Sequence, residues 1–145
     1  MKRKISVLLL LLVLTMTFFG CGKDSGKSDS LTVKKDEEFT VNVTMEDSGS
    51  IKSMALVFYW DDNAFEIIEG QWLNHNGIIA DFNKENKDAA IAFNEETNFC
   101  GEIFELKFKA KRDMIIIDGM FDADTVLKNK QETIKCHGIS FSYAK

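Results

Sequence analysis

The sequence predicts an all-β fold, an antiparallel β-sandwich of about eight to nine strands. Three observations support this fold class. Apolar and polar residues alternate with a period of two in several segments, and no segment after residue 30 carries a sustained apolar stripe at helical spacing. The gaps between the apolar runs are rich in Gly, Asn and Asp, which is typical of the turns that join short strands.

Three segments carry the alternation most clearly. In 39–45, 104–111 and 139–143 every second residue is apolar, as expected for strands with one face in the core and the other in solvent. Shorter runs predict further strands, and these are 31–34, 65–69, 78–82, 89–93 and 114–121.

The strand predicted over 54–60 departs from this rule. One of its faces carries large apolar side chains, and the other carries Ala55, Val57 and Tyr59. Because neither face is polar, either both faces are covered by the protein itself or the outer face binds a partner.

The first 20 residues differ in composition from the rest of the chain. Lys2, Arg3 and Lys4 precede an apolar run over 5–19, which is too short to span a bilayer as a lone helix and is typical of an export signal. We therefore expect a signal peptide over 1–20 and an exported protein.

Cys21 follows Phe18-Phe19-Gly20, which resembles a bacterial lipobox, the motif whose cysteine receives a diacylglycerol group. A plain secretory signal with an incidental cysteine is the alternative. Residues 22–30 contain only Gly, Lys, Asp and Ser, the composition of a flexible tether. We expect lipidation of Cys21, a tether over 21–30, and a folded domain over 31–145 held on the extracytoplasmic side of the cell membrane.

The folded part of the chain is acidic. The chain has 18 Lys and Arg against 23 Asp and Glu, and three of the basic residues but none of the acidic ones lie in the first 20 positions. The remainder has 15 bases and 23 acids, a net charge of −8. An acidic body without a basic cluster argues against a nucleic-acid partner, because phosphate binding requires a Lys or Arg surface.

Two further cysteines, Cys100 and Cys136, remain after Cys21 is assigned to lipid. An exported protein can form a disulfide between them, and two unpaired thiols are the alternative, because the sequence does not give the distance between the two.

Catalytic and metal-binding motifs are absent from the sequence. It has no nucleophile elbow, no Gly-rich phosphate loop, no H-E-x-x-H and no C-x-x-C. Asp81, Asn83 and Glu85 have the spacing of a calcium loop, but Asn86 replaces the required Gly and Ala92 the closing acid. We expect no enzymatic activity, no cofactor and no metal.

Trp72 lies where a predicted strand enters a polar loop over 73–77. Exposed aromatic rings bind sugars, so Trp72 and Tyr59 are candidates for contact with a glycan.

The order of features from residue 38 onward resembles a cohesin domain, the module of cellulosome scaffoldins that captures dockerins. The segment 51–68 is similar to the family's aromatic strand, and an aromatic–Asp pair and a hydrophobic–Glu–hydrophobic triplet follow as Trp60-Asp61 and Phe65-Glu66-Ile67. Residues 103–111 resemble the penultimate long strand, 121–124 the acidic hairpin after it, and 133–143 the closing hairpin. Asp62 stands where the family usually has Pro.

The resemblance implies that the sandwich is a cohesin-like jelly roll. The same resemblance implies a non-catalytic module that binds a dockerin-type or other protein in a setting of polysaccharide breakdown. It also implies that the third strand and the penultimate long strand share the binding face, which would present Ala55, Val57, Tyr59, Ile103, Glu105, Lys107 and Lys109. A carbohydrate-binding lipoprotein of the same architecture, which would hold polysaccharide through exposed aromatics, is the alternative.

Overall fold

The computed structural model describes residues 30–98, 100–129, 133–135 and 138–145. Within these residues the chain forms eleven strands, all paired antiparallel. They are β1 (Ser30–Val33), β2 (Glu38–Met45), β3 (Ser50–Tyr59), β4 (Phe65–Trp72), β5 (Ile79–Asn83), β6 (Asp88–Asn98), β7 (Gly101–Ala110), β8 (Met114–Ile117), β9 (Asp122–Lys128), β10 (Thr133–Lys135) and β11 (Ile139–Ala144). No helix in the described part of the chain is long and apolar enough to cross a bilayer.

Two sheets form the sandwich. The five-stranded sheet has the order β10-β9-β3-β6-β5, the four-stranded sheet has the order β11-β2-β7-β4, and β1 pairs with β8 in a separate two-stranded ribbon. The predicted all-β antiparallel sandwich is therefore confirmed, with eleven strands in place of eight or nine.

The segment that begins the expected acidic hairpin is instead the start of β9. Each residue of this strand pairs with β3, from Asp122 opposite Tyr59 to Lys128 opposite Ser53. The hairpin was expected from the family resemblance alone, and Asp is depleted in strands. The pairing with a central strand outweighs that local preference.

The closing hairpin expected over 133–143 is also not formed. β10 pairs with β9 in the five-stranded sheet, whereas β11 pairs with β2 in the four-stranded sheet. The two strands therefore belong to opposite layers. The apolar residues of β11 cover the core beside β2, with Tyr143 opposite Val41 and Phe141 opposite Val43.

The core lies between the two sheets and is rich in aromatic rings. Phe108 is fully buried, and its ring lies 5.1 Å from that of Phe121, 5.0 Å from that of Trp60 and 5.7 Å from that of Phe39, measured between centroids. Burying each such side chain stabilises the fold by roughly 1.5–3 kcal/mol, so this cluster holds the two layers together.

Candidate functional site

The seven residues expected on one binding face lie on two different sheets. Ala55, Val57 and Tyr59 are on β3 of the five-stranded sheet, whereas Ile103, Glu105, Lys107 and Lys109 are on β7 of the four-stranded sheet. Packed sheets are about 10 Å apart, and the core lies between them. The prediction that these residues share a face is wrong, because β3 and β7 belong to opposite layers.

Ile103 is not a surface residue at all. Its side chain is only 1% exposed, and its neighbour Phe104 is also buried. The pairing of β2 with β7 is irregular between Val43 and Thr44, and such a bulge allows two successive residues to point to the same side. Ile103 therefore belongs to the core.

Trp72 is also a core residue and is not available for stacking on a sugar. Only 8% of its surface is exposed, its Nε1 donates a 3.1 Å hydrogen bond to the carbonyl oxygen of Asp81, and its ring packs edge-on against Phe104. Trp72 lies on β4 and Tyr59 on β3, in different sheets, so the expected pair of glycan contacts is not formed.

The outer face of the four-stranded sheet pairs its own charges. Lys107 Nζ lies 2.9 Å from Glu38 Oε2, and Gln71 Nε2 donates a 3.0 Å hydrogen bond to Glu105 Oε1. The hydrogen bond from Lys107 lowers the pKa of Glu38, and the same bond raises the pKa of Lys107. These polar groups bind one another while they remain exposed, so this outer face is polar and in contact with solvent.

The outer face of the five-stranded sheet is different, because its centre is apolar. Ala55 pairs with Ala90 of β6 on one side and with Val126 of β9 on the other, and Ala92 of β6 pairs with Ile79 of β5. We call the apolar residues on this face the apolar surface: Ala55, Val57, Tyr59, Ile79, Ala90, Ala92 and Val126. The larger members are substantially exposed, with Val57 at 38%, Val126 at 41% and Ile79 at 62%.

The apolar surface is concave at its centre. A depression of about 220 Å³ lies over Ala55, Ala90 and Ala92, between the taller side chains of Val126 and Ile79. The depression forms because three small side chains lie side by side on neighbouring strands. From the sequence alone, only the β3 residues of this surface could be identified. The alanines on the outward side of the segment 89–93 were the signal that could have located the remaining residues.

Charged groups border the apolar surface unevenly. Asp124 and Asp88 lie on either side of Val57, Asp122 is opposite Tyr59, and Lys128 is at the other end opposite Ser53. Tyr59 Oη donates a 2.7 Å hydrogen bond to Asp124 Oδ2, which raises the pKa of Tyr59. One end of the surface is therefore acidic, and the tyrosine ring there is held in place.

Among the described residues, no group of three or more His, Cys, Asp or Glu side chains could hold a metal ion. Cys100 is exposed in the turn between β6 and β7. Cys21 and Cys136 lie outside the described residues, as does His137. Lipidation at Cys21 and a disulfide between Cys100 and Cys136 stay predictions.

Comparison with known proteins gives one similarity, in the fold. No protein-family model matches the chain, and no curated protein matches it. Among solved structures, the fold is similar to the cohesin module from the Clostridium perfringens ATCC13124 family 33 glycoside hydrolase, with a TM-score of 0.51. The match covers 83% of this chain and 97% of that module at 12% sequence identity. The cohesin-like antiparallel sandwich is therefore shown.

Proposed function

We propose that this protein is a non-catalytic, lipid-anchored module that captures a protein partner, a dockerin-type module, through the apolar surface of its five-stranded sheet. The cohesin-like fold supports binding as the general role. The lipobox-like Cys21 and the tether that follows it support attachment to the outside of the cell membrane. A setting of polysaccharide breakdown rests on the family resemblance.

The observation that carries the proposal is the contrast between the two outer faces. The four-stranded sheet pairs charges such as Lys107 and Glu38 on its own surface, so a partner would have to displace those pairs. The five-stranded sheet presents a concave apolar centre with charges around it. An apolar centre with a polar rim is the usual anatomy of a protein–protein interface.

The partner's chemistry follows from the shape and charge of this face. The depression over Ala55, Ala90 and Ala92 favours a projecting apolar side chain, because buried apolar area in a close-fitting pocket contributes most of the energy at an interface. The carboxylates of Asp88, Asp122 and Asp124 favour a Lys or Arg at the corresponding end of the partner. Such charges mainly set the orientation and rate of association.

The test uses the full chain, purified in detergent and titrated by calorimetry with a panel of purified dockerin modules. We expect saturable binding by at least one of them. Ala90→Arg places a long charged side chain in the depression and should weaken that binding by more than about tenfold. Ser140→Arg is the matched control, since Ser140 is exposed on the four-stranded sheet, and it should leave the affinity within about twofold.

Equal binding by Ala90→Arg and the unchanged chain would exclude the apolar surface as the docking site. Soluble polysaccharides form a second arm of the titration. Saturable binding of a polysaccharide, with no dockerin bound, would replace the proposal with the carbohydrate-binding alternative. Of the two aromatic residues expected to contact a sugar, Trp72 and Tyr59, only Tyr59 remains available to a polysaccharide.

The anchor is tested separately. Cys21→Ser removes the only lipid acceptor of the lipobox-like motif and should move the protein from the membrane fraction to the soluble fraction after signal cleavage. A cleaved Cys21→Ser protein that stays with the membrane would contradict lipidation at this position.

A further inference from the structure

A second concavity opens at the acidic end of the apolar surface. It has a volume of about 400 Å³, within the range of about 300–1,000 Å³ that is usual for ligand pockets. We call it the end pocket. Tyr59 and Asp122, which pair across β3 and β9, line both the end pocket and the edge of the apolar surface. The end pocket is therefore adjacent to the apolar surface.

The floor of the end pocket is apolar. Trp60 and Phe65 form its base and are almost completely buried, with exposed fractions of 9% and 2%. Met114 and Met120 complete the walls and are half-buried. Methionine side chains adapt to the shape of an occupant, and their sulfur atoms make favourable contacts with aromatic rings.

The rim of the end pocket carries three charged groups, Asp61, Asp122 and Arg112. Asp61 Oδ1 accepts the backbone N–H of Asn63, and Asp122 Oδ1 accepts that of Ala123. Among the residues that the structure describes, the second oxygen of each carboxylate accepts no hydrogen bond and is available to another donor. The guanidinium of Arg112 makes no hydrogen bond or ion pair with another described residue.

We propose that the end pocket binds a tyrosine or tryptophan side chain of the protein partner. An aromatic ring fits the apolar floor and the methionine walls. The ring O–H or N–H donates to a carboxylate of the rim, since buried rings of this kind require a partner for their polar atom. Arg112 lies at the rim, where its guanidinium can contact the face of the ring. This inference rests on the proposed function, because it adds an anchor to the same partner.

The test uses methionines in the described part of the chain as reporters. The full chain is labelled with ¹³C at the methionine methyl groups, and the signals are assigned with Met114→Leu and Met120→Leu. It is then titrated with N-acetyl-L-tyrosinamide. We expect saturable shifts of the Met114 and Met120 signals. The signal of Met45, which is buried in the core, should not move and is the internal control.

Two further compounds and one variant test the roles of the ring O–H and of Arg112 separately. N-acetyl-L-phenylalaninamide lacks only the phenolic O–H and should bind about three- to tenfold more weakly, as expected for the loss of one hydrogen bond. Arg112→Gln should weaken tyrosinamide binding by about two- to fivefold. Glucose should leave both signals in place.

Unchanged Met114 and Met120 signals would overturn the inference. Equal binding of the tyrosine and phenylalanine amides would also overturn it, because the rim would then not distinguish a ring with an O–H from one without. Stronger shifts with glucose than with tyrosinamide would make the end pocket a sugar site. Ala90→Arg lies outside the end pocket, so loss of tyrosinamide binding and loss of dockerin binding are separate results.

Discussion

Trp60 and Asp62 are joined by a hydrogen bond, in which the indole Nε1 donates to Asp62 Oδ1 at 2.9 Å. Lys87 completes the arrangement, because its Nζ lies 2.6 Å from Asp62 Oδ2 and 4.6 Å from the centroid of the Trp60 ring. Lys111 Nζ also donates to the backbone carbonyl of Asp62. Asp62, which stands where cohesins usually have Pro, is therefore the centre of a polar cluster that fixes the connection between β3 and β4.

Asp62→Ala should lower the free energy of unfolding by about 1 kcal/mol. The change removes the acceptor for Trp60 and the ion partner of Lys87, and the figure is small because the Asp62 side chain is 68% exposed. Urea denaturation measures the difference. Asp118→Ala, at an exposed carboxylate in the turn after β8, should change stability by less than about 0.5 kcal/mol. An equal effect of both substitutions would contradict a structural role for Asp62.

Stability should fall as the pH is lowered below about 4.5. Hydrogen bonds from Lys145, Lys107 and Lys87 lower the pKa values of Glu37, Glu38 and Asp62, whose ordinary values are 4.5, 4.5 and 3.8. Because these pKa values are lower in the folded chain, the unfolded chain binds more protons in acid. The contribution is complete above the ordinary values and is lost as the pH falls through the lower folded values.

Denaturant midpoints at pH 7, 5, 4 and 3 measure this dependence. The triple variant Glu37→Gln, Glu38→Gln and Asp62→Asn lacks the three titrating groups and should show a flatter decline. A decline as steep as that of the unchanged chain would assign the acid sensitivity to other carboxylates.

Gly70→Ala should destabilise the fold by about 1–3 kcal/mol, the usual cost of overpacking. A Cβ at position 70 would lie 2.8 Å from the Phe82 ring and 3.0 Å from the Phe104 ring, so β5 would have to move away from β4. Thermal unfolding gives the measurement. Glu69→Ala, at an exposed position on the same strand, is the control and should change the free energy of unfolding by less than about 0.5 kcal/mol.

Phe108→Ala should cost about 3–5 kcal/mol, because it leaves a cavity among Phe39, Trp60, Phe65 and Phe121. Phe108→Leu leaves a side chain that fills more of that space, so it should lower the free energy of unfolding by clearly less. Denaturation of the two variants side by side gives the comparison, and similar losses would indicate that the surrounding rings close over the cavity.

The faces of single strands could be predicted from the sequence. In β3, Met54, Leu56 and Phe58 are buried while Val57 and Tyr59 are exposed, as the period-two pattern required. This succeeded because successive side chains of a strand point to opposite faces.

The partners of each strand could not be predicted in the same way. Apolar and polar residues alternate as regularly in β7 as in β2. This alternation does not tell which sheet a strand joins, and the prediction therefore assigned the residues of β3 and β7 to one face. Trp72 illustrates the same limit, because its Nε1 donates to the Asp81 carbonyl oxygen of the next strand and its ring packs on Phe104. The end pocket combines residues from the β3–β4, β7–β8 and β8–β9 connections, and their meeting follows only from the packed sandwich.

The Asp62 cluster has a consequence for the kinetics of unfolding. Lys87 is 25 residues from Asp62 and Lys111 is 49 residues away, so the three can meet only after both layers have docked. Contacts that form late contribute little to the folding transition state, and losing them mainly accelerates unfolding. Asp62 should therefore lengthen the lifetime of the folded domain, while the rate at which the chain folds depends on the aromatic core.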